Sequence, residues 1–437
     1  MSSLTLDTVN RSGSKAASRG NERFFPVLCG SLVVQSLFTF VYHLTASTAL
    51  YAISNAIATA LIAYALFTLF RSERDSSAAT TFLIVSAIAT VLSVIANVNN
   101  TSFPDVLKYL SLYIFYAVGC RNATPVRPVE LYCLYALAAL PIIFMALGTS
   151  RIWESQDDPF GYLPNANIAV LHFTALLFAA SPVFGNRVIF LQLLNAAFMN
   201  KIGAIVATVI SICMWATVPL RRESIVSAAM IVAPVIVIGL AAYEFGAFDR
   251  AITALDGLML VLNIDPRSAV SMSYQKLVLL TGSTDLSGFF RLIHWANIWD
   301  IYTNGSAGTL FFGYGAGQTP ALTYAEMVPH NDYLRILVEY GPINFAIFAV
   351  FLIYIRGALK TAPARVLFVV LCIYFFSENL LDSFTSMTLF FAYAGRMTAY
   401  GAMAPAEHTV SETFLQQRTT PAGLRVYDGI QRDGLGK

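Results

Sequence analysis

Charge is what this chain has least of. Only 12% of its 437 residues are Asp, Glu, Lys or Arg, while 57% are hydrophobic; soluble domains carry about 25% charged residues. With a mean hydropathy of +0.64, that scarcity excludes a soluble globular enzyme and indicates an all-α polytopic membrane protein. Cysteine is also sparse. Cys29, Cys120, Cys133, Cys213 and Cys372 fall in or at the ends of apolar runs, without a Cys-x-x-Cys and without His at ligand spacing. Small buried apolar residues describe them better than a disulfide framework or a thiolate metal site. The halves of the chain show no internal repeat, and the loops expected on the outer face hold no Asp-x-Asp pair. Neither a metal nor a cofactor is expected.

Apolar runs are what the sequence has in quantity. A bilayer core takes about 20 predominantly apolar residues per helix. Runs of that kind cover 25–45, 49–70, 78–97, 105–120, 129–148, 166–182, 187–199, 202–219, 224–243, 331–355, 364–381 and 384–401, which predicts about twelve transmembrane helices. The net charge of +2 matters less than where the cations fall. With the N-terminus inside, nineteen of the twenty-seven Lys and Arg lie on the cytoplasmic side, including every short cytoplasmic loop. The first run, from Phe24, is too long for a signal-peptide core, so it reads as an uncleaved helix. The resulting organisation is a cytoplasmic segment 1–24, nine helices over 25–243, a large outer loop 244–329, three helices over 330–401 and a cytoplasmic tail 402–437. Thr149 to Asn165 forms a second outer loop.

Polar residues with chemical potential gather on the outer side. Asp285 to Tyr302 reads as an amphipathic helix resting in the interface, with Phe289, Leu292, Ile293, Ala296 and Trp299 at helical spacing and Arg291, His294 and Asn297 among them. Next comes Gly313-x-Gly315-x-Gly317, which fits either a flexible turn or a nest of backbone N–H groups for an anion. Pro329-His330-Asn331-Asp332-Tyr333-Leu334 then puts an imidazole where the loop enters an apolar helix, and Gly341-Pro342 predicts a kink ten residues on. Taken one at a time, these residues have structural readings too. His330 fits a helix-boundary cap, and Arg291 and Lys201 fit side chains reaching toward lipid phosphates. Arg335 and Glu339, four apart on one helix, fit a simple ion pair. Glu378, Asn379 and Asp382 fit polar groups at the outer end of a span.

Together, His330-Asn331-x-Tyr333-Leu334, Leu337, Glu339 and Gly341, preceded by Arg291-x-x-x-Trp295 and Gly313-x-Gly315-x-Gly317, resemble the O-antigen ligase/polymerase superfamily. Its members include Wzy-type polysaccharide polymerases, O-antigen ligases and protein O-glycosyltransferases; no motif here singles out a member such as a xanthan-type exopolysaccharide polymerase. The clear likeness covers about 290–345. It implies a C-type glycosyltransferase-like fold in the bacterial inner membrane, metal-independent and inverting, working at the periplasmic face on undecaprenyl-diphosphate-linked oligosaccharide. Flippase and chain-length or export proteins of the same pathway would be its partners, with membrane lipid around it and no nucleic acid. His330 takes the place of the family's histidine and Arg291 that of its loop arginine. Where the family often has a second arginine, this chain reads Asn200-Lys201-Ile202-Gly203, which keeps the charge and loses the bidentate fork.

The chemistry agrees with those residue types. Displacing a lipid diphosphate from an anomeric carbon leaves negative charge, which Arg291, Lys201 and Arg335 could stabilise. The attacking hydroxyl must lose a proton, and an imidazole with a reference pKa of about 6.5 can accept it. His330 acts in this scheme either as that base or as an orienter of the acceptor. Asn331, Trp295, Tyr333 and Glu339 are the candidates for touching sugar or acceptor. The expected reaction is polymerisation of lipid-linked repeats. Within the family the alternative is a ligase delivering glycan to lipid A-core; from another class it is a multi-helix transporter or flippase.

Overall fold

The computed structural model describes residues 22–72, 77–147, 160–199, 202–216, 274–281, 287–323 and 327–403, with the single positions Ile152 and Met272. The run expected at 224–243, Lys201, the outer loop up to 271, most of the second outer loop and both polar termini lie outside the described residues. What is described is helical throughout, save for one isolated bridge between Phe160 and Leu163.

Eleven of the twelve expected runs are helices. They are α1 (Phe24–Thr45), α2 (Thr48–Arg71), α3 (Ser77–Ala96), α4 (Phe103–Arg121), α5 (Pro128–Leu147), α6 (Ala166–Phe184), α7 (Arg187–Phe198), α8 (Ile202–Ala216), α13 (Asp332–Ala358), α14 (Ala362–Ser377) and α15 (Phe384–Met403). Among the described residues of the outer loop there are four more: α9 (Tyr274–Thr281), α10 (Ser287–Thr303), α11 (Ala307–Phe312) and α12 (Thr319–Leu322). Six of them, α1, α2, α3, α5, α6 and α13, are long and apolar enough to cross a membrane. α7 is not: 12 residues extend about 18 Å, against a hydrocarbon core of about 30 Å. The described residues are thus all-helical, and the length and apolarity of these helices are those of a membrane protein with several crossing helices.

Small residues let the central helices meet. A Cβ added at Gly119 of α4 would strike the Ala392 carbonyl of α15, and one at Gly395 would strike the Tyr116 carbonyl of α4. Close backbone approach of this kind is how helices associate where lipid removes the hydrophobic drive. Around the seam, Phe351 of α13 stacks on Phe391 at 5.8 Å and faces Tyr113 at 4.6 Å.

α13 breaks where Gly341-Pro342 predicts. Gly341 has φ +83°, so the element is two helical pieces joined at a bend. Pro342 has no N–H to give the Val338 carbonyl. The glycine loop supplies replacements: Tyr314 N–H donates to Val338 O at 2.9 Å and Gly315 N–H to Glu339 O at 3.0 Å. Gly313, Gly315 and Gly317 all have positive φ, which permits this approach. The loop is thus neither an anion nest nor a loose turn, since two of its N–H groups are taken up by the broken helix.

One end of the bundle is closed by a buried charge. Arg396 of α15 pairs with Glu130 of α5, donates to the Thr124 and Pro125 carbonyls, and lies over the Phe25 ring at 4.1 Å. Its side chain is 2% exposed and that of Glu130 0%. Nearby, Arg121 ties α4 to the end of α2 through the Leu69 carbonyl and to α3 through Thr80.

Candidate functional site

At the other end, the strap 327–331 between α12 and α13 carries His330, which sits at φ +48°. That left-handed conformation costs a non-glycine residue about 1–2 kcal/mol, so the surroundings must hold it. They do. Trp295 of α10 donates its indole N–H to the Pro329 carbonyl, one residue before His330. His294 Nε2 lies 3.1 Å from the Met327 carbonyl, and the Asn331 side chain caps α13 by accepting from Leu334 N–H at 3.0 Å. Burial first, and then the nearby His330, hold the His294 pKa below the usual imidazole value against the opposing bond to Met327. A neutral His294 keeps the strap in place.

The short link from α14 to α15 supplies the opposite wall. Asp332 is buried and accepts from the N–H groups of Leu380 and Leu381 at 2.5 and 3.1 Å. This grip brings Glu378 and Asn379 beneath His330. Glu378, only 4% exposed, accepts from Arg291 Nη2 at 2.8 Å and from Asn167 Nδ2 at 2.6 Å, while its other oxygen lies 3.7 Å from His330 Nδ1. Arg291 and His330 are 30% and 32% exposed. A guanidinium and an imidazole therefore share one buried carboxylate, and both remain open to a ligand.

The same contacts decide which ring nitrogen of His330 is available. Asn379 Nδ2 is 3.2 Å from Nδ1, and Asn379 Oδ1 is buried without a partner. Turning that amide by half a turn lets Oδ1 accept from Nδ1–H, which satisfies the orphaned oxygen. The Glu378 carboxylate favours a hydrogen on Nδ1 as well. Nε2 then carries the free lone pair, the state a general base requires.

Other sequence-based candidates are drawn into the architecture. Arg335 is 4% exposed, and its three nitrogens face carboxylates: Nε to Glu339 at 3.3 Å, Nη1 to Asp382 at 2.9 Å and Nη2 to Asp105 at 3.3 Å. It has no nitrogen left for a diphosphate. Glu339 is fully buried and also accepts from the Thr319 hydroxyl at 2.6 Å, so it does not reach an acceptor sugar. Lys108 joins the cluster through Asp105 and Asp382. Burial alone would raise Asp382, but Arg335 and Lys108 prevail and hold its carboxyl below the ordinary value. Tyr333 donates to the Cys372 carbonyl at 2.9 Å and packs among Phe345, Phe348 and Phe375. Trp295 meets Phe376 edge to face at 5.1 Å. Both rings are packing and positioning groups rather than sugar platforms, and Asn331 is a cap.

Arg291 and Trp295, one helical turn apart on α10, fasten that helix to the end of α14. Sequence reasoning missed Glu378, Asn379 and Asn167 as site members. The only signal was a pair of polar residues closing an apolar run, which is equally the mark of an ordinary helix end. Comparison of the chain with protein-family models and with curated proteins returns no match.

Proposed function

We propose that the protein is an inner-membrane glycosyltransferase of the O-antigen ligase/polymerase kind, with about twelve spans and a C-type glycosyltransferase-like fold. It joins undecaprenyl-diphosphate-linked oligosaccharide repeats at the periplasmic face. One observation carries this reading: Arg291 and His330 share the buried carboxylate of Glu378 and are both about a third exposed. A cation for a departing phosphate and a base for an attacking hydroxyl are the two groups this reaction needs on the enzyme.

In the reaction, the acceptor hydroxyl gives its proton to His330 Nε2 as its oxygen bonds to the anomeric carbon. The bond from that carbon to the diphosphate breaks on the opposite side, with inversion. Its electron pair leaves with the lipid diphosphate. Arg291 exchanges Glu378 for phosphate oxygens, and Glu378 is then free to steady the imidazolium at Nδ1. Lys201 supplies a second cation in this proposal. Flippase and chain-length or export proteins act before and after the step.

The transporter reading finds less support. A discontinuous helix such as α13 is a transporter feature, yet its freed carbonyls are taken by Tyr314 and Gly315 rather than left for a solute. Reconstitution with a synthetic lipid-diphosphate oligosaccharide tests the proposal. A product ladder spaced by one repeat supports a polymerase, and a single transfer that needs lipid A-core identifies a ligase. Absence of any glycosyl transfer from an intact, folded preparation overturns both.

A further inference from the structure

The end of the bundle far from His330 carries an opening that the transfer reaction does not use. A cavity of about 250 Å³ lies where the C-terminal turns of α8 and α13 meet the first turns of α14, lined by Ser211, Met214, Arg356, Arg365, Val366 and Val369. It sits at the same end as the sealed Arg396 pair, because α14 runs from here to Glu378 at the His330 end.

Its charge balance differs from that at Arg335, Arg396 and Arg291. Arg335 faces three carboxylates, Arg396 faces Glu130 and Arg291 faces Glu378. Among the described residues no acidic side chain lines this cavity. Arg365 Nε donates to the Leu359 carbonyl at 2.6 Å, which fixes the plane of the guanidinium. Its Nη1 and Nη2 have no protein partner among the described residues, and exposed Arg356 has no hydrogen bond or ion pair among them either. Met214, Val366 and Val369 give the cavity an apolar side, and the hydroxyl of Ser211 is turned to the Ala207 carbonyl of its own helix at 2.6 Å. Two unmatched guanidinium groups beside apolar side chains, at the C-terminal end of the membrane-crossing α13, are complementary to an anionic amphiphile. The fork of Arg matches a phosphate diester, and the valines and methionine suit the first methylenes of an acyl chain.

We propose that this cavity binds an anionic phospholipid, with its phosphate held by Arg356 and Arg365. The site is independent of the glycosyltransferase reading: its ligand is a structural lipid, and its test involves no transfer reaction. Each cation near an anionic membrane surface raises affinity about fivefold, so loss of both should weaken retention about 20- to 30-fold.

The full-length protein in mild detergent, exposed to phosphatidylglycerol or phosphatidylcholine, can be examined by native mass spectrometry and thermal unfolding. The wild type should retain phosphatidylglycerol in preference. The Arg356→Gln/Arg365→Gln pair should lose that preference, whereas Arg187→Gln, at the same end and outside the cavity, should keep it. Because a neutral pair could disturb folding, Arg356→Lys/Arg365→Lys serves as the second variant and should retain most of the preference. Equal retention of both lipids by the wild type, or undiminished retention by the Gln pair, overturns the proposal. Thermal protection by inorganic phosphate equal to that by phosphatidylglycerol overturns the lipid assignment in favour of a free anion.

Discussion

Two ends of one bundle treat their charges differently. At one, Arg396 and Glu130 are shut away at 2% and 0% exposure, ringed by Phe25, Tyr393 and backbone carbonyls. At the other, Arg291 and His330 meet a carboxylate only 4% exposed, yet both of its partners stay about a third exposed. A charge pair closed on every side can only hold helices together. One closed on the acid's side alone presents its basic partners to whatever arrives. Arg335 shows that the distinction is local rather than a matter of which end a residue occupies: it lies near His330 in sequence and is as enclosed as Arg396.

The largest effect expected concerns the sealed pair. Glu130→Gln leaves a buried guanidinium without its counterion, which should cost about 3–5 kcal/mol, measured by chemical or thermal unfolding in detergent. Replacing both partners together, Arg396→Met with Glu130→Leu, should recover most of that loss. If the single change is as mild as the double, the pair is not the lock described.

The open pair should behave the opposite way. Arg291→Ala is expected to lower glycosyl transfer about 10²- to 10³-fold, as when a preorganised donor to developing charge is removed, with a smaller loss of stability than Glu130→Gln because Arg291 is partly exposed and Glu378 keeps Asn167 beside it. Kinetics alongside unfolding of the same preparation checks this. A loss of stability matching that of Glu130→Gln would place Arg291 with the sealed charges.

A third test concerns the broken helix that brings the strap and link together. Gly341→Ala would force a side chain to φ +83° and into the Phe311 carbonyl. The conformation alone costs about 1–2 kcal/mol, so unfolding should shift by at least that much. An unchanged unfolding temperature would mean that the junction yields easily.

The bend itself was legible, because a proline cannot serve the carbonyl one turn back wherever it sits. So were the helices, since apolar runs of membrane length have few alternatives, and so was His330 at a loop-to-helix boundary. The partnerships were not. Arg335 and Glu339 read as a simple pair, but Asp105 and Asp382, distant in sequence, complete the enclosure and remove Arg335 from consideration as a phosphate ligand. Glu378 became a site residue only once Asp332 had drawn the α14–α15 link under His330. Contacts between residues 47 to 230 positions apart leave no local pattern to read.

The smallest effect expected is a pH dependence of the strap. His294 is held neutral by burial, so its folded pKa lies below that of the unfolded chain. The unfolded state then binds the proton first, and His294 contributes stability above about pH 6.5 that is lost as the pH falls through that value. Unfolding temperature should decline between about pH 7.5 and 5.5, and His294→Gln, which can still donate to Met327, should flatten part of the decline. An identical slope in the variant would assign the effect to other groups.

The central claim is that His330 and Arg291, held open on Glu378, carry out glycosyl transfer. It is tested most directly by the product ladder from a synthetic lipid-diphosphate oligosaccharide in reconstituted vesicles, comparing wild type with His330→Gln. The account predicts a ladder from the wild type and a rate lower by about 10²- to 10⁴-fold, the usual worth of a general base, from a variant that unfolds at the same temperature. A His330→Gln protein that builds the ladder at the wild-type rate would contradict it.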